Sequence, residues 1–408
     1  MLWAGQSVSQ IGDGMNKVAL LWFVYTLTGS AFKMTVIGLL QTLPPLVLGP
    51  LIGVYLDRLP KKPVMIGIDL IQAGLILLVP VLYSLDALSL EGLYLLVFLI
   101  AVFGTVFGPA LASAVPLIVE RSQLTPANAL IQSTTNIGVL AGPALSGLGI
   151  ALIGAQNVLY IDAACNLVSA LFLMPVRVRE VLARGGLGPA RPTVVGDLLA
   201  GFRFVFIQQR LVLSLMVTTA LYTVAASAFT FLLPVYAKEH LQAGPVELGW
   251  LWSALGVGML ATTLWLVWLQ DRPLAARFRI LARSMVIGGL AVCGLTLLHS
   301  PLGAAGLITV IGGSNAVFMP VVWAMLQEVT PGHFRGRMFT TFSTGGMASA
   351  MAGMAGLGWT ADRMGPSPSL LAVGLLLIAA AVAAQRLSRR PIAVAMTAAA
   401  VVDLPAPG

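Results

Sequence analysis

Charge is what this sequence has least of. Only 9% of its 408 residues are Asp, Glu, Lys or Arg, 58% are hydrophobic, and the mean hydropathy is +0.94. A water-soluble domain carries about 25% charged residues, so an ordinary globular enzyme is excluded and lipid is the implied solvent. Cysteine is equally scarce. Cys165 and Cys293 both lie inside apolar runs, so they say nothing of a disulfide framework and are expected to pack as small apolar residues. His240, His299 and His333 are scattered near the ends of apolar runs and suggest no metal site. No glycine-rich phosphate loop ending in Gly-Lys-Ser/Thr occurs, so ATP is not expected to drive this chain directly. No Ser/His/Asp or Cys/His constellation points to an enzyme, and no cofactor is expected. A cleaved signal peptide is not expected either, because the first apolar stretch has no basic leader and contains Asp13 and Lys17.

What the sequence has in abundance is long apolar runs. They fall near 2–27, 34–56, 63–84, 92–114, 127–153 and 156–175, then near 211–237, 247–270, 280–299, 302–327, 337–359 and 368–386. Each exceeds strand length and none alternates with period two, so membrane-spanning helices of roughly 20 residues are the expected form. The one long break, 176–210, holds Gly185, Gly186, Pro189, Pro192 and a cluster of arginines. It ends in an amphipathic piece, 198–207, expected to lie on the membrane surface. The expected organisation is therefore a first bundle of six helices over 1–175, a central loop over 176–210, a second bundle over 211–386 and a tail over 387–408.

Lys and Arg set the expected orientation. With the N-terminus inside, nineteen basic residues fall on the cytoplasmic side and three outside, namely Lys33, Lys238 and Arg363; Lys17 lies within a span. Both termini are then cytoplasmic in a bacterial inner membrane. This placement accounts for the net charge of +8, and no basic stripe interleaved with aromatics suggests nucleic acid. The halves also repeat. Val106-Phe107-Gly108-Pro109 recurs as Val317-Phe318-Met319-Pro320, and Asp57-Arg58 recurs as Asp271-Arg272. Internal symmetry of this kind marks a transporter built from repeats, with its substrate site between them.

Two segments carry the sharpest motifs. Gly53, Asp57, Arg58, Lys61 and Lys62 occupy the short loop after the second run. The glycine permits close helix approach, and the aspartate can accept from a facing helix N-terminus. A basic loop that only fixes topology is the competing explanation. In the fifth run, Gly138, Gly142, Pro143 and Gly147 offer small residues at near-helical spacing and one missing backbone donor. Generic close packing would explain this as well.

The first segment resembles the loop signature of the major facilitator superfamily, with Pro60 in place of a glycine. The second resembles the Gly-Pro motif of that superfamily's antiporters, with Ser146 in place of a glycine. The opening stretch with Ser9, Gly12, Asp13 and Ala19-Leu20-Leu21-Trp22 is similar to a subgroup that includes the enterobactin exporter and macrolide-efflux proteins, as is Ala127-Asn128-Ala129-Leu130. The resemblance implies twelve transmembrane helices in two pseudo-symmetric bundles, alternating access, and proton-coupled export of drugs, siderophores or similar amphipathic molecules by a monomer. In it, Asp57 and Arg58 latch the cytoplasmic side. One departure is the fourth run, which has none of the arginine that many proton-coupled members carry there.

An ionisable group inside a span is a functional candidate. Asp13 and Lys17, four residues apart on one helix face, are expected to form an internal pair that rearranges on protonation, with Asn16 extending the polar face. The alternatives are a permanent structural pair or a Lys17 that turns to a partner of its own. Asp162 is the next candidate for coupling, the alternative being that it caps a helix or holds a partner span. Asp69 is expected to pair with Arg58 or Lys61. Gln41, Asn136, Asn166, Gln327 and Trp323 are candidates to line the central cavity, while Glu120 and Glu328 are expected at the interface. A facilitator or importer of one metabolite or lipid is the alternative function.

Overall fold

In the computed structural model, residues 1–56, 59–120, 123–176, 178, 210–266, 274–329 and 335–388 are described. They form twelve helices: α1 (Leu2–Thr28), α2 (Ala31–Leu56), α3 (Lys61–Ser84), α4 (Leu90–Ile118), α5 (Leu124–Ile153) and α6 (Ala155–Leu173), then α7 (Arg210–Glu239), α8 (Pro245–Leu266), α9 (Leu274–Leu295), α10 (Pro301–Val329), α11 (Arg335–Met364) and α12 (Pro366–Ser388). Asp57, Arg58, Arg121, Asp271, Arg272, His333, the amphipathic piece at 198–207 and the tail past 388 lie outside the described residues, as do the side chains of Gly53, Gln327 and Glu328. Lipid offers the backbone no hydrogen bonds, so every peptide group must be satisfied within its own segment, and helices do this.

Short joints make neighbouring helices antiparallel. Gly154 (φ +88°) alone separates α5 from α6, and Gly365 (φ +84°) alone separates α11 from α12. Only glycine takes such angles without strain, and the two sit at matching points of the repeats. We call the side where α1 begins and α12 ends the basic face, and the other the far face.

The packing repeats as well. In the first bundle α1 packs on α5 and α6, α3 on α4 and α6, and α2 on α4. In the second, α7 packs on α11 and α12, α9 on α10 and α12, and α8 on α10. Two seams join the bundles, α5 against α8 and α2 against α11, and each is the repeat-related image of the other.

Ten of the twelve helices are long and apolar enough to cross a membrane; α1 and α11 are not among them. The physical reason lies in what they carry. α1 holds Gln6, Ser9, Gln10, Asp13, Asn16 and Lys17, and α11 is rich in glycine, serine and threonine. The far half of α1, Val18 to Tyr25, is buried on every side, as a helix apolar all round should be. Helix α9 starts earlier than its apolar run, so Arg277 and Arg279, which precede the run, lie on the helix together with Arg283.

Candidate functional site

Three faces of α1 organise the first bundle. Gly5, Gly12 and Asn16 face α6: a Cβ on Gly12 would lie 2.6 Å from Asp162 Oδ1, and Asn16 Nδ2 donates to Asp162 Oδ2. Asn166 Nδ2 donates to the other carboxylate oxygen at 3.3 Å. Asp162 is fully buried, so it holds α1 to α6 inside the bundle and does not line the central cavity. Asn16, expected beside Lys17, turns to Asp162 instead. Removing one donor from a buried carboxylate costs about 1–3 kcal/mol. Asn16→Leu is therefore expected to lower the melting temperature of the purified protein, and Asn16→Asp to lower it further by setting two carboxyls together. An unchanged melting temperature in both would refute this role.

The second face meets α5. A Cβ on Gly138 would lie 2.3 Å from the Gln10 carbonyl oxygen, and one on Gly142 would lie 2.7 Å from Gly14 Cα. Ser146 Oγ donates to the Met15 carbonyl at 2.8 Å. Backbone against backbone leaves no room for any side chain.

The third face carries Asp13 and Lys17, both exposed although they lie deep along the helix. They do not pair with each other. Lys17 Nζ crosses to the second bundle and stands 5.0 Å from the ring centroid of Trp252 on α8, a cation–π contact. Asp13 Oδ2 accepts from Gln10 Nε2 at 3.1 Å. One turn's separation permits a pair, but Asp13 is held by Gln10 of its own helix and Lys17 by Trp252 of the opposite bundle.

Asp13 also lines a cavity of about 280 Å³ inside the first bundle, together with Gln6, Asp69, Gln72 and Thr134. Asp69 is 1% exposed with Oδ2 unpartnered, and Gln6 Nε2 is likewise buried without a partner. Buried polar atoms are rarely left so, and here both groups border the cavity. Its described lining holds two carboxylates and no basic side chain; Gly104 and Gly108 of α4 border it where a long side chain would fill the space. The sequence suggested Lys61 as a partner for Asp69, but Lys61 Nζ donates to the Leu56 and Leu59 carbonyls, and Lys62 Nζ to the Met174 carbonyl. Both lysines thus satisfy carbonyls at the ends of α2 and α6. Gln41 on α2 and Asn136 on α5 are exposed at mid-helix. Trp323 on α10 lies edge-on to Phe342 of α11 with centroids 5.8 Å apart, within the second bundle.

The seams are closest toward the far face. A Cβ on Gly147 would lie 2.9 Å from Gly249 Cα and 2.5 Å from the Pro245 carbonyl, and Ser253 Oγ donates to the Leu140 carbonyl at 2.9 Å. In the other seam, a Cβ on Gly358 would lie 2.6 Å from Thr35 Oγ1. Gly147 and Gly358 are repeat-equivalent, so the motif seen in α5 has its counterpart in α11. Its glycines divide the labour: Gly138 and Gly142 tighten the bundle, and Gly147 closes the seam.

Polar contacts finish that closure. Asp362, near the end of α11, accepts from the Phe32 backbone N–H at 3.1 Å and from Ser30 Oγ at 2.5 Å, capping α2 from the opposite bundle. Tyr25 donates to Glu239, and Lys238 Nζ lies 5.0 Å from the Tyr25 ring centroid. The sequence motifs do not include this set, because only the packing of α2 beside α11 brings Asp362 to a helix N-terminus. A helix cap is worth about 1 kcal/mol, which is about fivefold in an equilibrium. Asp362→Ala should accordingly speed maleimide labelling of Thr35→Cys about fivefold in protein lacking Cys165 and Cys293. An unchanged rate would show that the cap does not hold the face shut.

A family model described as transmembrane secretion effector matches residues 1–407. The chain belongs to this family of the major facilitator superfamily. The multidrug efflux pump Tap of Mycolicibacterium fortuitum is 28% identical over 390 residues, covering 93% of this chain and 92% of that protein. Macrolide efflux protein A of Streptococcus pyogenes is 26% identical over 386 residues, covering 93% of each. Among solved structures, the nucleoside transporter NupG superposes with a TM-score of 0.75 at 13% identity, over 95% of this chain and 98% of that one. A bacterial homologue of the iron transporter ferroportin in an inward-facing state gives 0.75 at 18%, over 95% and 98%. These structures share the fold, and this secretion effector is a multi-pass membrane transporter with two pseudo-symmetric six-helix bundles.

Proposed function

We propose that this secretion effector is a proton-coupled antiporter that exports drugs or similar amphipathic molecules across a bacterial inner membrane by alternating access. The observation that carries the reading is the pair of repeat-related seams, α5 on α8 and α2 on α11, packed glycine-close toward one face. Two bundles joined this way can rock about their seams, and one chain supplies both, so a monomer suffices. The concentration of Lys and Arg supports a cytoplasmic basic face, and the packed far face then makes this the inward-facing state. The printed names of the efflux relatives support the substrate class.

Coupling is assigned to the first bundle. Asp13 and Asp69 share a cavity without a basic neighbour in its described lining, a setting in which a carboxyl can exchange a proton as the bundles move. Asp57 and Arg58 are assigned the latch of the cytoplasmic face in the opposite state.

The test is transport in everted vesicles. A proton gradient should drive accumulation of a fluorescent drug such as ethidium, and a protonophore should abolish it. Gradient-independent equilibration in both directions would replace the antiporter with a facilitator.

A further inference from the structure

The second bundle has a trough on its outer flank, apart from the seams and from the cavity that holds Asp13 and Asp69. Helices α8 and α9 both pack on α10. The α8–α10 crossing is as tight as backbone allows, since a Cβ on Gly258 would lie 1.9 Å from the Thr309 carbonyl oxygen. On the other side Ser314 of α10 donates to the Ser284 carbonyl of α9. With α10 as floor, the two outer helices leave a groove of about 540 Å³ between them.

Its walls are apolar and open outward. Trp265 is 52% exposed, Ile287 53% and Val310 41%. Both outer helices are tied to the rest of the protein on their inner sides, while Val257 and Leu264 of α8 and Leu290 of α9 stay exposed beside the trough. Gly249 and Ser253 turn α8 toward α5, and Gly289 turns α9 toward Gly374 of α12. The trough therefore opens sideways, to the bilayer.

One charge lies in it. Arg283 is exposed, lines the groove, and sits within the apolar span Ala276–Leu295. At 1.5 Å per residue it is about 13 Å along α9 from the basic face. No carboxylate is among the groove's described lining residues. A guanidinium at this depth is costly unless it meets an anion or snorkels toward the headgroups, and Trp265, near the basic-face end of α8, marks the level where indoles anchor at the interface.

We propose that this trough binds one anionic phospholipid of the leaflet on the basic face. The phosphate sits on Arg283 and one acyl chain runs along Trp265, Ile287 and Val310. Charge complementarity selects the headgroup, since basic pockets between membrane helices favour anionic lipid, and the apolar walls accept the chain.

The experiment is native mass spectrometry of the full-length protein, purified in mild detergent and offered equal amounts of phosphatidylglycerol and phosphatidylcholine. Wild type is expected to retain phosphatidylglycerol at least about fivefold over phosphatidylcholine. Arg283→Gln should remove that preference, and Arg363→Gln, at the far face, should keep it. Ile287→Trp fills the trough while leaving the charge, and it should lower retained phosphatidylglycerol even if Arg283→Gln does not fold. Equal retention of the two lipids by wild type, or full preference in Arg283→Gln, overturns the proposal. So does displacement of the lipid by ethidium in wild type but not in Arg283→Gln, which would make the trough a drug portal.

Discussion

Gly147→Val is expected to reduce drug efflux by about tenfold or more while leaving the folded protein in the membrane. A side chain here has nowhere to go. Its first carbon would meet the Pro245 carbonyl oxygen at 2.5 Å and Gly249 Cα at 2.9 Å, and both are backbone atoms that cannot swing aside like the end of a lysine. Overpacking of this kind costs about 1–3 kcal/mol. Because the contact joins two bundles, the cost falls on one state of the cycle. The bundles can separate and relieve it, so the face no longer closes and the cycle stalls. Gly358→Val, at the equivalent position of the other seam, should do the same. Gly74→Val is the control, since nothing lies within 4 Å of a Cβ there. The assay is ethidium efflux from cells lacking their own pumps, paired with Thr35→Cys labelling in a cysteine-free background. Loss of efflux should come with faster labelling. Full efflux in Gly147→Val would show that this seam does not need to close.

How much of this was legible beforehand depended on whether the signal runs along the chain or around a helix. Hydropathy runs along the chain, so all twelve helices could be read from it, and recurring local motifs carried the half repeat and the superfamily resemblance. The glycines of α5 were also readable, because small residues at fixed spacing report a packed stripe. Rotation about the helix axis was not. Asp13 and Lys17 have the spacing of an ion pair, yet Trp252 lies in another bundle and claims the lysine. Asn16 differs from Lys17 by one position, a turn of about 100°, and so faces Asp162. Asp69 lies close in sequence to a basic loop, but two turns of helix carry it away from Lys61 and into the cavity with Asp13. Asp362 drew no notice as an exposed acid near a loop, and only the placement of α2 beside α11 makes it a cap.

Asp13→Asn is expected to abolish gradient-driven drug uptake in everted vesicles, down to the level seen with a protonophore. An amide has nearly the shape of a carboxyl and can still accept from Gln10, but it cannot take up or release a proton. Drive and movement should therefore separate. Exchange of drug for drug, with no gradient, needs only alternating access and should stay within about twofold of wild type, the spread expected of a substitution that keeps shape and hydrogen bonding. Raising the external pH should stimulate uptake in wild type by steepening the gradient, and should have no effect in Asp13→Asn. Asp162→Asn supplies the contrast. That carboxylate is buried between two asparagine donors, so its loss weakens the α1–α6 contact, and driven uptake and exchange should fall together. Asp69→Asn tests the neighbour in the same cavity. If it abolishes drive and Asp13→Asn does not, the coupling proton resides on Asp69. If both variants respond to the gradient as wild type does, the cavity in the first bundle carries no coupling proton at all.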